Sequence, residues 1–268
     1  MRCAGPRSRA VEARHQEPVQ RTASRPVNIV ALGAAFGGGL VAGRLGVMAA
    51  DRFAPARTAR RRVPVQEMVT AASSAAVVAR FDVGWTTLPP LVAAVSLVTL
   101  SATDLRAYRL PGAITFPALG LSLAAVGLES AVSGRRGAVV PAAAAAAGYG
   151  SVLWIAHRLR PGGLGFGDVK TGPLLGVHLG WAAGVFGSGW AAPVALVAQA
   201  LLVSCLISLG MALVVAPLRR CGLDPLPDPG CGSAPGHRRR LRDTALPFGP
   251  ALAAGTMIVV LFPDTFLG

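Results

Sequence analysis

Two aspartates stand where apolar segments meet polar ones: Asp104 in Asp104-Leu105-Arg106, and Asp168 in Gly165-Phe166-Gly167-Asp168. Between Thr86 and Pro217 the only other acidic residue is Glu129. A carboxylate at membrane depth costs roughly 2.5 kcal/mol or more on insertion scales, so a pair of them implies a use. Two carboxyls that share a site can hydrolyse an amide, one ionised to activate water and the other protonated to donate toward the carbonyl oxygen. Like charges held that close do not both ionise, so the proton belongs to the pair and the roles exchange during reaction. Peptide-bond hydrolysis is the chemistry expected of this chain.

The surroundings of the two acids differ. Asp168 precedes an apolar segment and Asp104 follows one, so helix dipoles favour charge on Asp168 and disfavour it on Asp104. Lys170 reinforces that division and Arg106 opposes it. Gly165 and Gly167 offer backbone that can approach an extended peptide closely and adopt positive φ, and Pro161, Gly162 and Gly163 extend this stretch. A bare Gly-x-Gly-Asp is common before helices; a second aspartate at the end of another apolar segment makes it specific.

The elements that must position these residues are membrane helices. The chain has 268 residues, 53% hydrophobic and 14% charged, with a mean hydropathy of +0.54, which is membrane composition. A spanning helix needs about 20 apolar residues. Eight segments qualify approximately: 27–50, 65–81, 88–103, 113–132, 138–157, 169–187, 191–217 and 245–266. The second and third are short and only moderately apolar. The expected fold is all-α, a polytopic transmembrane bundle of about eight spans or seven, with a basic tail at 1–26 and one membrane domain over 27–268.

A net charge of +14 would suggest nucleic acid in a soluble protein, but here the arginines fall between apolar segments, and no nucleic acid is expected. Alternate gaps hold Arg52, Arg57, Arg60, Arg61 and Arg62, then Arg106 and Arg109, then Arg158, Arg160 and Lys170, then Arg219, Arg220, Arg238, Arg239, Arg240 and Arg242. The opposite gaps hold Arg80, Arg135 and Arg136. The positive-inside rule therefore orients both aspartates toward the cytoplasm. The tail disobeys, since Arg2, Arg7, Arg9, Arg14, Arg21 and Arg25 fall outside by this alternation. Three readings stand: the first segment does not span, later helices set the orientation, or translation starts downstream.

Cys3, Cys205, Cys221 and Cys231 form no CxxC pair, so no metal and no cofactor is expected. The stretch 218–244 is dense in proline and glycine and reads as a cytoplasmic loop or lid. The alanine run 142–147 reads as helix packing. Gly172, Gly176, Gly180 and Gly184 recur every four residues, in register with Asp168. That stripe is expected to admit a second helix close to Asp168. His178 lies about 15 Å along the same helix from Asp168 at 1.5 Å per residue, which makes it a hydrogen-bonded core residue. His157 reads as interfacial, Arg44 as snorkelling toward the cytoplasmic boundary, and Trp85, Trp154, Trp181 and Trp190 as mostly interfacial.

At these residues the chain resembles the type IV prepilin leader peptidases, a bacterial branch of the GxGD membrane aspartyl proteases. Asp104-Leu105-Arg106-Ala107-Tyr108-Arg109-Leu110-Pro111 is similar to the first family motif and Gly165-Phe166-Gly167-Asp168-Val169-Lys170 to the second. Pro247-Phe248-Gly249-Pro250 resembles a third, weaker element. The resemblance implies cleavage, at the cytoplasmic face of the bacterial inner membrane, of the basic leader of prepilins or pseudopilins after a glycine. It makes Asp104 and Asp168 the catalytic pair, with Arg106, Pro111, Gly165, Gly167 and Lys170 supporting. Larger members carry two CxxC pairs in a domain after the first helix and also methylate the new N-terminus. The corresponding gap here, 51–64, has no cysteine, so methyl transfer is not expected. Gly112 also stands where the family often has Asn or Asp. Two other classes remain: a transporter that binds cations or protons at the same aspartates, which would sooner place them at mid-membrane, and an assembly factor indifferent to Asp→Asn substitution. The identity of the pilin or pseudopilin substrate and the oligomeric state are not legible.

Overall fold

A computed structural model describes residues 28–53, 64–107, 110–160, 164–220 and 248–267. The basic tail at 1–26, most of the arginine-rich gap, Arg109, Pro161 to Gly163 and nearly all of the loop at 218–244 lie outside the described residues. Among those described there is no strand.

Each of the eight apolar segments is a helix. They are α1 Ile29–Phe53, α2 Val65–Phe81, α3 Leu88–Ala107, α4 Gly112–Ser133, α5 Val139–Leu159, α6 Phe166–Phe186, α7 Ala191–Arg220 and α8 Gly249–Leu261, followed by the short α9 Pro263–Leu267. By length and composition α1, α3, α4, α5 and α7 are sufficient to cross a membrane. The remaining three fall short for different reasons. α2 has 17 residues and α8 has 13, about 20 Å at 1.5 Å per residue. α6 is long enough at 21 residues, but it carries Asp168, Lys170, His178 and four striped glycines that lower its hydropathy.

α6 can be this polar because lipid barely reaches it. From Asp168 to Ala183 nearly every residue is buried, and α4, α5, α7 and α8 pack around it. α7 is the converse, very apolar and mostly exposed: Val194, Leu202, Leu206, Leu209 and Leu213 all face outward.

The glycine stripe packs as expected in kind but not in partner. A Cβ on Gly184 would lie 2.6 Å from the Ala138 Cα, and one on Gly172 3.0 Å from the Gly150 Cα. Gly176 and Gly180 likewise face the backbone of Ala145, Ala146, Pro141 and Ala142. The helix admitted is therefore α5, which holds the alanine run and no acid; the stripe does not bring Asp104 to Asp168. A second glycine face, Gly39 and Gly43 of α1, abuts the Ala71 and Glu67 backbone of α2, where a Cβ would come within 2.6 and 2.7 Å.

One end of the bundle holds the C-termini of α1, α3, α5 and α7 with the N-termini of α2, α4, α6 and α8. α1 thus runs through the bundle with its start at the opposite end from the aspartates. At that far end Glu129 is fully buried. Its carboxylate accepts from Trp181 Nε1 at 3.3 Å and Ser133 Oγ at 3.0 Å, with Arg135 Nη1 at 3.7 Å. Trp181 also stacks edge-on with Phe81 and Phe186, so it is core rather than interfacial. Trp85, Trp154 and Trp190 are the exposed ones. Nearby, Arg80 pairs with Asp264 and donates to the Leu261 carbonyl at 3.0 Å. His178 is buried with Nε2 3.0 Å from Ser122 Oγ, and His157 Nδ1 lies 2.8 Å from the Leu164 carbonyl. Arg44 sits 3.5 Å from Glu67, so part of its charge is met by a neighbouring helix.

Candidate active site

Asp104 sits in the last turn of α3 and Asp168 in the first turn of α6. Both are nearly out of solvent, at 7% and 8% exposure. They come from separate helices that touch, and the Asp104 carboxylate is close enough to act electrostatically on Asp168. Among the described residues, neither aspartate forms an ion pair; Arg106 pairs with Asp51 and Arg44 with Glu67.

Local sequence explains the approach. The Asp168 N–H donates to the Gly165 carbonyl at 3.1 Å and closes the first turn of α6. Leu110, just beyond α3, lies on that turn: a Cβ on Gly167 would come 3.0 Å from the Leu110 Cβ. Gly167 therefore makes room for the chain's own leucine rather than for a substrate. Pro111 then starts α4, its carbonyl accepting from the N–H groups of Ile114 at 3.0 Å and Thr115 at 3.2 Å. Proline suits that position because it needs no N–H partner of its own.

Several expected roles change. Gly165 has φ −67° and ψ 142°, ordinary extended backbone, and the positive-φ glycines among the described residues are Gly134 and Gly189. The freedom that matters at Gly165 is space, since a Cβ there would sit 3.3 Å from Asp168 Oδ2. Lys170 lies over the Phe166 ring, 5.0 Å from its centroid. Arg106 turns away from the acids to Asp51 and Gln66, each at 3.1 Å, and so ties α3 to α1 and α2. The structure brings together Asp104, Asp168, Gly165 and Gly167 with Leu110, and leaves Arg106 and Lys170 at the margin.

One contact had no legible signal beyond the weak third motif. The Gly249 N–H, at the start of α8, donates to Asp104 Oδ2 at 3.2 Å. Asp104 ends its own helix yet meets the N-terminus of another, so the expected dipole asymmetry between the two acids is not there: each carboxyl faces a helix N-terminus.

Among the described residues no cluster of three or more His, Cys, Asp or Glu side chains could hold a metal ion. What the arrangement can do is share a proton between two carboxyls beside a bound polar group.

Fold and site define a multi-pass helical membrane protein with a buried carboxylate pair at one end of its bundle. Residues 91–214, which include both aspartates, match the family described as the type IV leader peptidase family. Among curated proteins the chain is 31% identical over 206 residues to a protein of Aeromonas hydrophila called prepilin leader peptidase/N-methyltransferase, covering 76% of this chain and 59% of the relative. A Burkholderia pseudomallei (strain 1026b) protein of the same name is 28% identical over 207 residues, 76% of this chain and 56% of the relative. The chain thus spans somewhat over half the length of these relatives. No solved structure matches it.

Proposed function

We propose that this protein is a membrane aspartic endopeptidase that removes the leader of type IV prepilins or pseudopilins at the cytoplasmic face of the bacterial inner membrane. The observation that carries the reading is the juxtaposition of Asp104 and Asp168, buried, from separate helices, and without a paired cation among the described residues. The family match over 91–214 and the names of the relatives support the substrate class.

The ionised member of the pair takes a proton from water as its oxygen attacks the scissile carbonyl carbon. The protonated member gives its proton to the carbonyl oxygen, making a tetrahedral intermediate. Collapse of that intermediate breaks the C–N bond, with a proton passing to the leaving amine. The pair recovers its single shared proton at the end. The arginine distribution between helices supports a cytoplasmic location for this end of the bundle. The gap 51–64 has no cysteine, which speaks against methyl transfer. Both acids sit at helix ends, which suits a protease better than a transporter with a mid-membrane site.

Co-expression with a prepilin carrying a basic leader tests this. Wild type should shorten the substrate on a gel, and Asp104→Asn and Asp168→Asn should each abolish the shift. Persistence of cleavage in either variant removes the mechanism.

A further inference from the structure

The element Phe248-Gly249-Pro250 has no side chain able to donate, accept or carry a proton, yet it abuts the carboxylate pair. Gly249 is the first residue of α8, so its N–H is one of the helix-start donors with no partner inside the helix. It is aimed at Asp104 Oδ2, 145 positions away in sequence. The missing side chain is aimed at the same group. A Cβ on Gly249 would lie 2.7 Å from Asp104 Oδ2, 3.2 Å from its Cγ and 3.4 Å from its Cβ. Contacts below 3.0 Å of this kind force something to move. Packing fixes where this N–H stands. The Phe248 carbonyl accepts from Ala251 and Leu252, each at 3.1 Å, both of those side chains are buried, and Gly255 one turn further sits against Ser204 and Ala200 of α7.

We propose that Gly249 is a positioning residue for the aspartate pair: its N–H holds one oxygen of Asp104 so that the other addresses the reacting water, and a side chain at this position would push that carboxyl out of place. α8 is then part of the active site without contributing a reactive group. This inference rests on the peptidase reading above.

Its test uses the full chain, purified in detergent, with a prepilin substrate. Gly249→Ala should lower kcat on the order of 10- to 100-fold, as a displaced catalytic group does, with KM within about twofold. Its pH–rate profile should be displaced from that of wild type, while thermal unfolding changes little. Gly255→Ala, a methyl of equal size on the same helix but facing α7, should lower the unfolding midpoint and leave the kcat and pH profile of the folded fraction alone. A Gly249→Ala protein that cuts at the wild-type rate with an unmoved profile overturns the inference and leaves the peptidase reading standing. Wild type that cuts no prepilin overturns both. A measurement on wild type covers a Gly249→Ala chain that does not fold: the ¹⁵N-glycine amide resonance of Gly249 should follow the titration of Asp104 and stop doing so in Asp104→Asn. A Gly249 resonance insensitive to pH in wild type also overturns it.

Discussion

At the far end of the bundle Glu129 is surrounded by groups that answer its charge: an indole N–H, a hydroxyl and a guanidinium. At the near end the Asp104 carboxyl has the Gly249 N–H, and the Asp168 carboxyl has the Gly165 N–H with Asp104 close by. Burial is similar, and satisfaction is not. A buried carboxylate whose oxygens are all engaged contributes to architecture, because removing it strands its partners. A buried pair of carboxyls met by so few donors has unspent hydrogen-bonding capacity, and it is held in place by the packing of the helices that carry it.

The sharpest break of that comparison is at the near end. Asp104→Asn or Asp168→Asn should reduce prepilin cleavage on the order of 10³-fold or more, with an unfolding midpoint equal to or above that of wild type, because a neutral amide replaces a buried ionisable group. Loss of folding instead would put these acids in the same class as Glu129. At the far end, Glu129→Ala should destabilise by about 2 kcal/mol by leaving the buried Trp181 N–H without its acceptor, read as a lower thermal midpoint. Glu129→Gln keeps an acceptor for the indole and should cost about 1 kcal/mol. Both should cut prepilin normally at low temperature. A middle case is Gly180→Val, which presses on α5 and should cost roughly 1–3 kcal/mol, lowering yield and activity in proportion. The smallest effect belongs to Arg106→Ala. Its ion pair with Asp51 is about a quarter exposed on each side, so the loss should be about 1 kcal/mol, with cleavage within a few-fold of wild type. A hundredfold loss of cleavage there would return Arg106 to the reaction itself.

Periodicity and composition made the helices legible, since bilayer-length apolar runs leave few alternatives: all eight segments are helical within a few residues of their expected bounds. The last is the exception in extent. It begins at Gly249 and breaks at Phe262 before Pro263, where proline starts a new turn more readily than it continues an old one. The aspartate pair was legible because acids are rare in apolar sequence. Partners were not. Nothing in the spacing tells that Arg106 reaches Asp51 or that the Gly172–Gly184 stripe faces α5, because helical periodicity defines a face and not the neighbour that covers it. Gly249 was hidden for a deeper reason: its contribution is an N–H that every residue but proline owns, and only the geometry of the fold makes this one distinctive.

The chain reverses direction beside each of these acids, and that has a consequence for biosynthesis. Asp104 and Asp168 flank the turns that join α3 to α4 and α5 to α6, whereas Glu129 lies at the turn joining α4 to α5. As the helices enter the lipid in pairs, the side that keeps both aspartates must send Glu129 through the hydrocarbon. With the orientation proposed here, Glu129 crosses together with Asp82 and Asp264, while the two carboxyls needed for cutting never leave the compartment in which they were synthesised.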